Sequence, residues 1–327
     1  MPFISTPSGT DASAVCRRDV PEAPTAFVPG TNIPLSEKWR DSMQKRITTA
    51  VVGLSVLAVV LVFFDTVLVS VLAAGITLLC LMELFKAAGL LCYRFLTVIS
   101  GLYCILIVFF NTTLVAHAFS YFSYLLVVAL FLVLLRHHDT IKVEQVSFAF
   151  LMSILLAVSF HCLIKMKEVG GPQFGMFYLL LVFGSAWWSD SGAYFIGTFF
   201  GKHKLCPGIS PKKTVEGLIG GIICAIVGNV LVCLVFQAFC QAVAPWGYIE
   251  TAVSVNIPAV ILISPAASLL GVLGDLSASV IKRQHGIKDF GHLMPGHGGA
   301  MDRFDSVLFV SPLFYIIFNI YPLISAI

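Results

Sequence analysis

Residues 215–240, VEGLIGGIICAIVGNVLVCLVFQAFC, carry a single charge, that of Glu216. A helix needs only about 20 mostly apolar residues to cross a bilayer, so this run reads as a membrane span. Working outward, eight further runs of the same kind fall at 47–64, 66–85, 95–111, 119–135, 146–164, 174–189, 257–275 and 306–325. The fold class they predict is all-α, a polytopic membrane helix bundle of about nine transmembrane helices.

Composition agrees. Of 327 residues 58% are hydrophobic and 11% charged, against about 45–50% and 25% in soluble domains, and the mean hydropathy is +0.95. The chain falls outside the soluble class. A net charge of +3 is too small to imply a nucleic-acid partner. The nine cysteines form no CxxC pair and mostly sit in apolar runs, where Cys behaves as a small hydrophobe; neither a disulfide framework nor a zinc site is expected.

Residues 1–46 have the Pro, Ser, Thr and Gly bias of a segment unable to bury a core. They read as a polar, disordered cytoplasmic tail ahead of a transmembrane domain at 47–327. The tail has neither the apolar core nor the cleavage site of a secretory signal, and Pro2 argues against N-myristoylation. With this tail inside, every Lys and Arg of the chain except Lys165 and Lys167 falls on the cytoplasmic side. The positive-inside rule therefore favours nine spans, N-terminus in and C-terminus out.

This topology brings four polar pieces to one face: SDSGAYFIGTFFGK (189–202), ISPKKTVEG (209–217), GDLSASVIKR (274–283) and KDFGHLMPGHGGAMDRFDS (288–306). Charge at a membrane edge is costly and points to function. Asp275, Ser279 and Lys282 fall on one helical stripe, and Asp302 and Asp305 are three apart at the start of the last helix. Carboxylates converging from separate helices call for a cation, and hard oxygen donors without a Cys or His cluster favour Mg²⁺ or Mn²⁺. Lys212, Lys213, Lys282, Arg283, Lys288 and Arg303 outnumber what those acids need, which predicts a polyanionic substrate. Gly296, Gly298 and Gly299 lack a Cβ, so their amides could approach a phosphate closely, helped by the following helix N-terminus. His297, among them, could bond a phosphate or leaving group, and Asp190 lies beside the basic second piece.

Other polar residues have plainer readings. Lys202, Lys204, Arg136 and Lys142 suit topology and headgroup contacts, and His137, His138 and Asp139 a solvated loop. Gly197 with Gly201, and Gly217 with Gly221, fit close helix packing. His117 and His161 receive no role.

The stretch Ser277–Ser306 resembles the signature of the phosphatidate cytidylyltransferases, or CDP-diacylglycerol synthases. Ser279, Lys282–Arg283, Lys288–Asp289, Pro295 to Gly299, and Asp302–Arg303 with Asp305 occupy its fixed positions. The preceding block from Ser189, including Ser210, resembles the family as well, so the catalytic signature is placed at 189–306.

The resemblance implies an integral membrane enzyme that condenses CTP with phosphatidate, giving CDP-diacylglycerol and pyrophosphate. It implies Mg²⁺, with room for a second cation, on Asp275 and Asp302. Asp305, Lys282, Arg283, His297 and Arg303 would complete the catalytic set. Asp190, Ser210, Lys212, Lys213, Ser279, Lys288, Asp289 and the three glycines would contact substrate. The expected partners are CTP, bilayer phosphatidate, membrane lipids and, as a candidate, a second copy of the chain. The modest length favours a bacterial plasma membrane, with the site facing the cytoplasm.

Two other classes fit the sequence less well. A CDP-alcohol phosphotransferase would need a DGxxAR block and four-residue spacing of its last acids, and neither is present. A transporter would place charge at mid-membrane, where these spans have almost none.

Overall fold

The computed structural model describes residues 66–109, 118–169, 172–243, 253–291, 298–321 and 323–326. The tail at 1–46 and the first expected span, 47–64, lie outside the described residues.

Helices overlie each remaining apolar run: α1 (Val67–Ala87), α2 (Arg94–Phe109), α3 (Ala118–Arg136), α4 (Val143–Lys165), α5 (Pro172–Phe200), α6 (Val215–Val243), α7 (Ile257–Gln284) and α8 (Met301–Ile320). Six of them, α1, α3, α4, α6, α7 and α8, are long and apolar enough to cross a membrane. The protein is thus mostly helical, with six candidate spans among the described residues. Two small antiparallel pairs depart from the all-α expectation. Strands β1 (Lys204–Cys206) and β2 (Ser210–Thr214) form a hairpin between α5 and α6, and β3 (Val253–Val255) pairs with β4 (Ile324–Ala326).

Helix α8 is central, packing on α7, α4, α5 and α1. Its Phe314 and Phe318 join Phe85, Phe160, Phe177 and Tyr178 in the buried core. Polar pairs cross the interior, where lipid offers no substitute partner. Ser159 Oγ donates to the Leu308 carbonyl at 2.5 Å, and Ser311 Oγ to the Ser159 carbonyl at 3.0 Å, joining α4 to α8. Asn229 Nδ2 donates to Ser185 Oγ at 2.7 Å and Ser264 Oγ at 2.9 Å, linking α6 to α5 and α7. Large apolar side chains such as Leu262 and Ile320 face outward, as lipid contact requires.

The glycine pairs work as their spacing suggests. At Gly217 a Cβ would stand 2.8 Å from the Ala193 carbonyl oxygen and 3.2 Å from Gly197 Cα, so α5 and α6 touch backbone to backbone. Gly217→Val is expected to cost about 1–3 kcal/mol through overpacking. Its check is a melting midpoint in detergent several degrees below wild type.

Candidate active site at one end of the bundle

Helix α8 starts with a tight turn. Gly298 has φ +84, a left-handed conformation that a Cβ disfavours, and a Cβ there would also come within 2.8 Å of Asp302 Oδ2. That oxygen accepts from the amides of Gly299 at 3.0 Å and Phe290 at 2.9 Å. The other, Oδ1, accepts from Lys282 Nζ at 2.7 Å, in an ion pair whose side chains are only 12% and 8% exposed. Asp302 thereby ties the last turns of α7, the following loop and α8 together. The Lys282 ammonium also lies 5.3 Å from the centre of the Phe290 ring.

One layer deeper, Gly274 lets the α8 backbone approach α7, since a Cβ there would meet the Asp305 carbonyl and, at 2.9 Å, the Phe309 ring. This contact sets Asp275 beside Asp305. Asp275 Oδ2 pairs with Lys213 Nζ at 2.6 Å, and its Oδ1 accepts from Ser279 Oγ at 3.5 Å. Asp305 is buried and accepts the Ser306 amide at 2.7 Å, while Ser306 Oγ donates to Asp190 Oδ2 at 3.4 Å. Asp190, Asp275 and Asp305 lie within electrostatic reach of one another, with Lys213 acting on the first and Lys282 on the third. Four helix and strand elements thus deliver Asp190 (α5), Lys213 (β2), Asp275, Ser279 and Lys282 (α7), and Asp302 and Asp305 (α8) to one end of the bundle.

The hairpin that presents Lys213 is anchored twice. Thr214 Oγ1 caps α6 by accepting from the Gly217 amide at 3.1 Å. Glu216 accepts from the amides of Lys202 and His203 and from His203 Nδ1, the last at 2.6 Å. Sequence reasoning missed this hairpin, although the PG and SP dipeptides between short runs were a turn signal.

Several expected site residues sit around this centre. Lys212, Arg283, Lys288, Asp289 and Arg303 are exposed and Ser210 is half-buried, while the Arg283 guanidinium donates to the Ile287 carbonyl at 3.5 Å. Gly299 spends its amide on Asp302 rather than presenting it to a ligand. Gly296 and His297 lie outside the described residues.

The structure also adds a residue that sequence reasoning passed over. Glu83, on α1, accepts from the amides of Ala300 at 3.0 Å and Met301 at 2.8 Å. Its partners are more than two hundred positions away, so no local spacing announces it.

At formal charge, Asp190, Asp275, Asp302 and Asp305 outweigh Lys213 and Lys282 by two. That surplus, expressed in carboxylate oxygens, suits a hard divalent cation. Among the described residues no three His, Cys, Asp or Glu side chains already converge on a metal position; the two lysines hold two of the acids instead.

A model of the cytidylyltransferase family matches residues 44–321. The chain is 39% identical to a phosphatidate cytidylyltransferase of Bacillus subtilis (strain 168) over 200 residues, 59% of this chain and 68% of that protein. It is 46% identical to one of Staphylococcus epidermidis over 143 residues, 44% of this chain and 49% of the relative. With one of Staphylococcus aureus (strain COL) it shares 41% over 164 residues, 48% of this chain and 57% of the relative. The matched stretch spans about two thirds of the first relative and about half of the other two.

Proposed function

The chain belongs to the cytidylyltransferase family, and from that membership we propose that it is a CTP:phosphatidate cytidylyltransferase, a nucleotidyltransferase of phospholipid synthesis. The observation that carries the reading is the convergence of Asp190, Lys213, Asp275, Lys282, Asp302 and Asp305 at one end of an apolar helix bundle. One substrate is a water-soluble polyanion and the other a bilayer lipid. A charged centre at the end of a membrane bundle can meet both.

In the reaction, a phosphate oxygen of phosphatidate attacks the α-phosphorus of CTP. The new oxygen–phosphorus bond forms as the bond to the bridging oxygen breaks, and pyrophosphate leaves with the electron pair. The nucleophile is already anionic and needs little help from a general base. The protein's tasks are to align the reactants and to neutralise charge where it develops.

Asp275 and Asp302 would hold Mg²⁺, with Asp190 and Asp305 close enough to complete the set or to hold a second cation. Bound there, the ion would neutralise the CTP phosphates and polarise the α-phosphoryl group. Lys213 and Lys282, which pair with Asp275 and Asp302 in this structure, would be placed to meet phosphate oxygens. Lys212, Arg283, Lys288 and Arg303 add exposed positive charge for the triphosphate and the lipid headgroup. His297 and Arg303 would serve the departing pyrophosphate, while Ser210 on β2, Ser279 on α7 and Asp289 would contact substrate.

For the whole chain we infer nine spans, the N-terminus and the site in the cytoplasm, and the C-terminus outside. The membrane is the bacterial plasma membrane, a reading the bacterial relatives support, while the positive-inside distribution supports the orientation. A second copy of the chain remains the candidate protein partner.

The test is CDP-diacylglycerol formation by detergent-purified protein given phosphatidate and CTP, with Mg²⁺ and then with excess chelator. Product that requires lipid, CTP and metal is expected. A folded protein that makes none, but consumes CDP-diacylglycerol with an alcohol, would move the assignment to a CDP-alcohol phosphotransferase.

A further inference from the structure

Glu83 lies on a helix that contributes no acid or base to the cluster, yet it grips the element on which the cluster depends. Its Oε1 accepts from the Ala300 amide and its Oε2 from the Met301 amide, at 3.0 and 2.8 Å. The next amide back, that of Gly299, donates to Asp302 Oδ2 at 3.0 Å. Three successive amides at the start of α8 are therefore held by two carboxylates from different helices. The fit around Glu83 is close: a Cβ on Gly299 would collide with its carboxylate, and one on Gly291 would stand 2.8 Å from its carboxyl carbon. Gly291 follows Phe290, whose amide also donates to Asp302 Oδ2, at 2.9 Å. The two carboxylates thus clamp the same loop. A negative side chain here also meets the positive end of the α8 dipole.

We propose that Glu83 is a positioning residue for the transfer reaction: by clamping the amides of Ala300 and Met301 it sets the first turn of α8, and with it the placement of Asp302 against Lys282. The inference rests on the cytidylyltransferase reading of the site. Glu83 touches no reacting atom in this arrangement and acts through Asp302. Its loss misplaces Asp302 rather than removing a ligand, so it shows in the rate constant more than in substrate affinity. A displacement of about 1 Å in a reacting group can cost about 10²-fold in rate.

The experiment compares full-length wild type, Glu83→Gln and Glu83→Ala in detergent, well below each melting midpoint, with rates normalised to folded protein. Glutamine keeps one acceptor oxygen for the two amides and alanine keeps none. The expected order of kcat is wild type, then Gln, then Ala, with Ala down about 30- to 100-fold and KM for CTP and phosphatidate within about threefold. Hydrogen exchange on a peptide covering 298–304 supplies a second readout that does not use activity, and serves with Gln alone should Ala not fold. Protection at the α8 start should fall in Gln while the rest of the bundle is unchanged. Rates per folded molecule within twofold of an active wild type, or unaltered protection in the variant, overturn the inference. An inactive wild type would instead bring down the functional reading on which it rests.

Discussion

Asp302→Asn is expected to lower CDP-diacylglycerol formation by about three orders of magnitude while the protein stays folded. The loss corresponds to roughly 4 kcal/mol of transition-state stabilisation, within the several kcal/mol that a correctly held metal supplies. Both carboxylate oxygens are engaged, Oδ1 with Lys282 Nζ and Oδ2 with the amides of Phe290 and Gly299. Asparagine can replace only one of them as acceptor, and its NH₂ must then face either an ammonium or two amides. It also lacks the charge that would hold a cation beside Asp275. The check is initial rate against Mg²⁺ concentration in detergent, with a melting curve beside it. A loss of less than about tenfold would mean that Asp302 only fastens the loop.

Lys282→Met is expected to cost more stability than Lys213→Met, and both should weaken use of CTP. The Lys282–Asp302 side chains are 12% and 8% exposed, whereas those of Lys213 and Asp275 are 24% and 29% exposed. Removing Lys282 strands a largely buried carboxylate, which costs about 3–5 kcal/mol in comparable pairs. Removing Lys213 leaves Asp275, at 29% exposure, better able to reach water than Asp302, so the cost should be smaller. In catalysis each variant should lose about 10²-fold in kcat/KM for CTP, the usual scale for deleting one group that stabilises developing charge. Thermal melts and CTP titrations on the two proteins separate these effects. Equal loss of stability in both would contradict the distinction drawn from burial.

Much of the architecture was legible because lipid imposes a simple rule on spanning segments. Backbone polar groups must be paired within the segment, and side chains must be apolar over about 20 residues. The runs at 66–85 and 215–240 therefore coincide closely with α1 and α6. Helix ends were read less well. Apolarity stops at Ser189 and Asp275, yet α5 continues to Phe200 and α7 to Gln284, because a helix extends beyond the membrane as long as its backbone ladder holds. At α8 the apolar run begins only at 306, but the three-residue spacing of Asp302 and Asp305 places both at the start of that helix, where Met301 and Asp302 are indeed helical.

Within the site, the stripe of Asp275, Ser279 and Lys282 was visible from helical spacing alone. The partners of these residues were not. Lys213 reaches Asp275 only because a hairpin turns it inward, and Glu83 reaches the start of α8 across more than two hundred positions. The glycines of the loop drew attention as phosphate ligands, but Gly298 and Gly299 also serve Asp302 and Glu83, a use that depends on contacts no spacing encodes. Asn229 and its serine partners escaped notice for a similar reason: one polar residue in an apolar run has no periodicity to reveal it.

The most direct measurement uses CTP labelled with ³²P at either the α or the γ phosphorus, given with phosphatidate and Mg²⁺ to the detergent-purified protein. The account predicts that α label appears in the lipid product and γ label only in released pyrophosphate. Label from the γ position in lipid, or none in lipid from either position with folded protein, would contradict it.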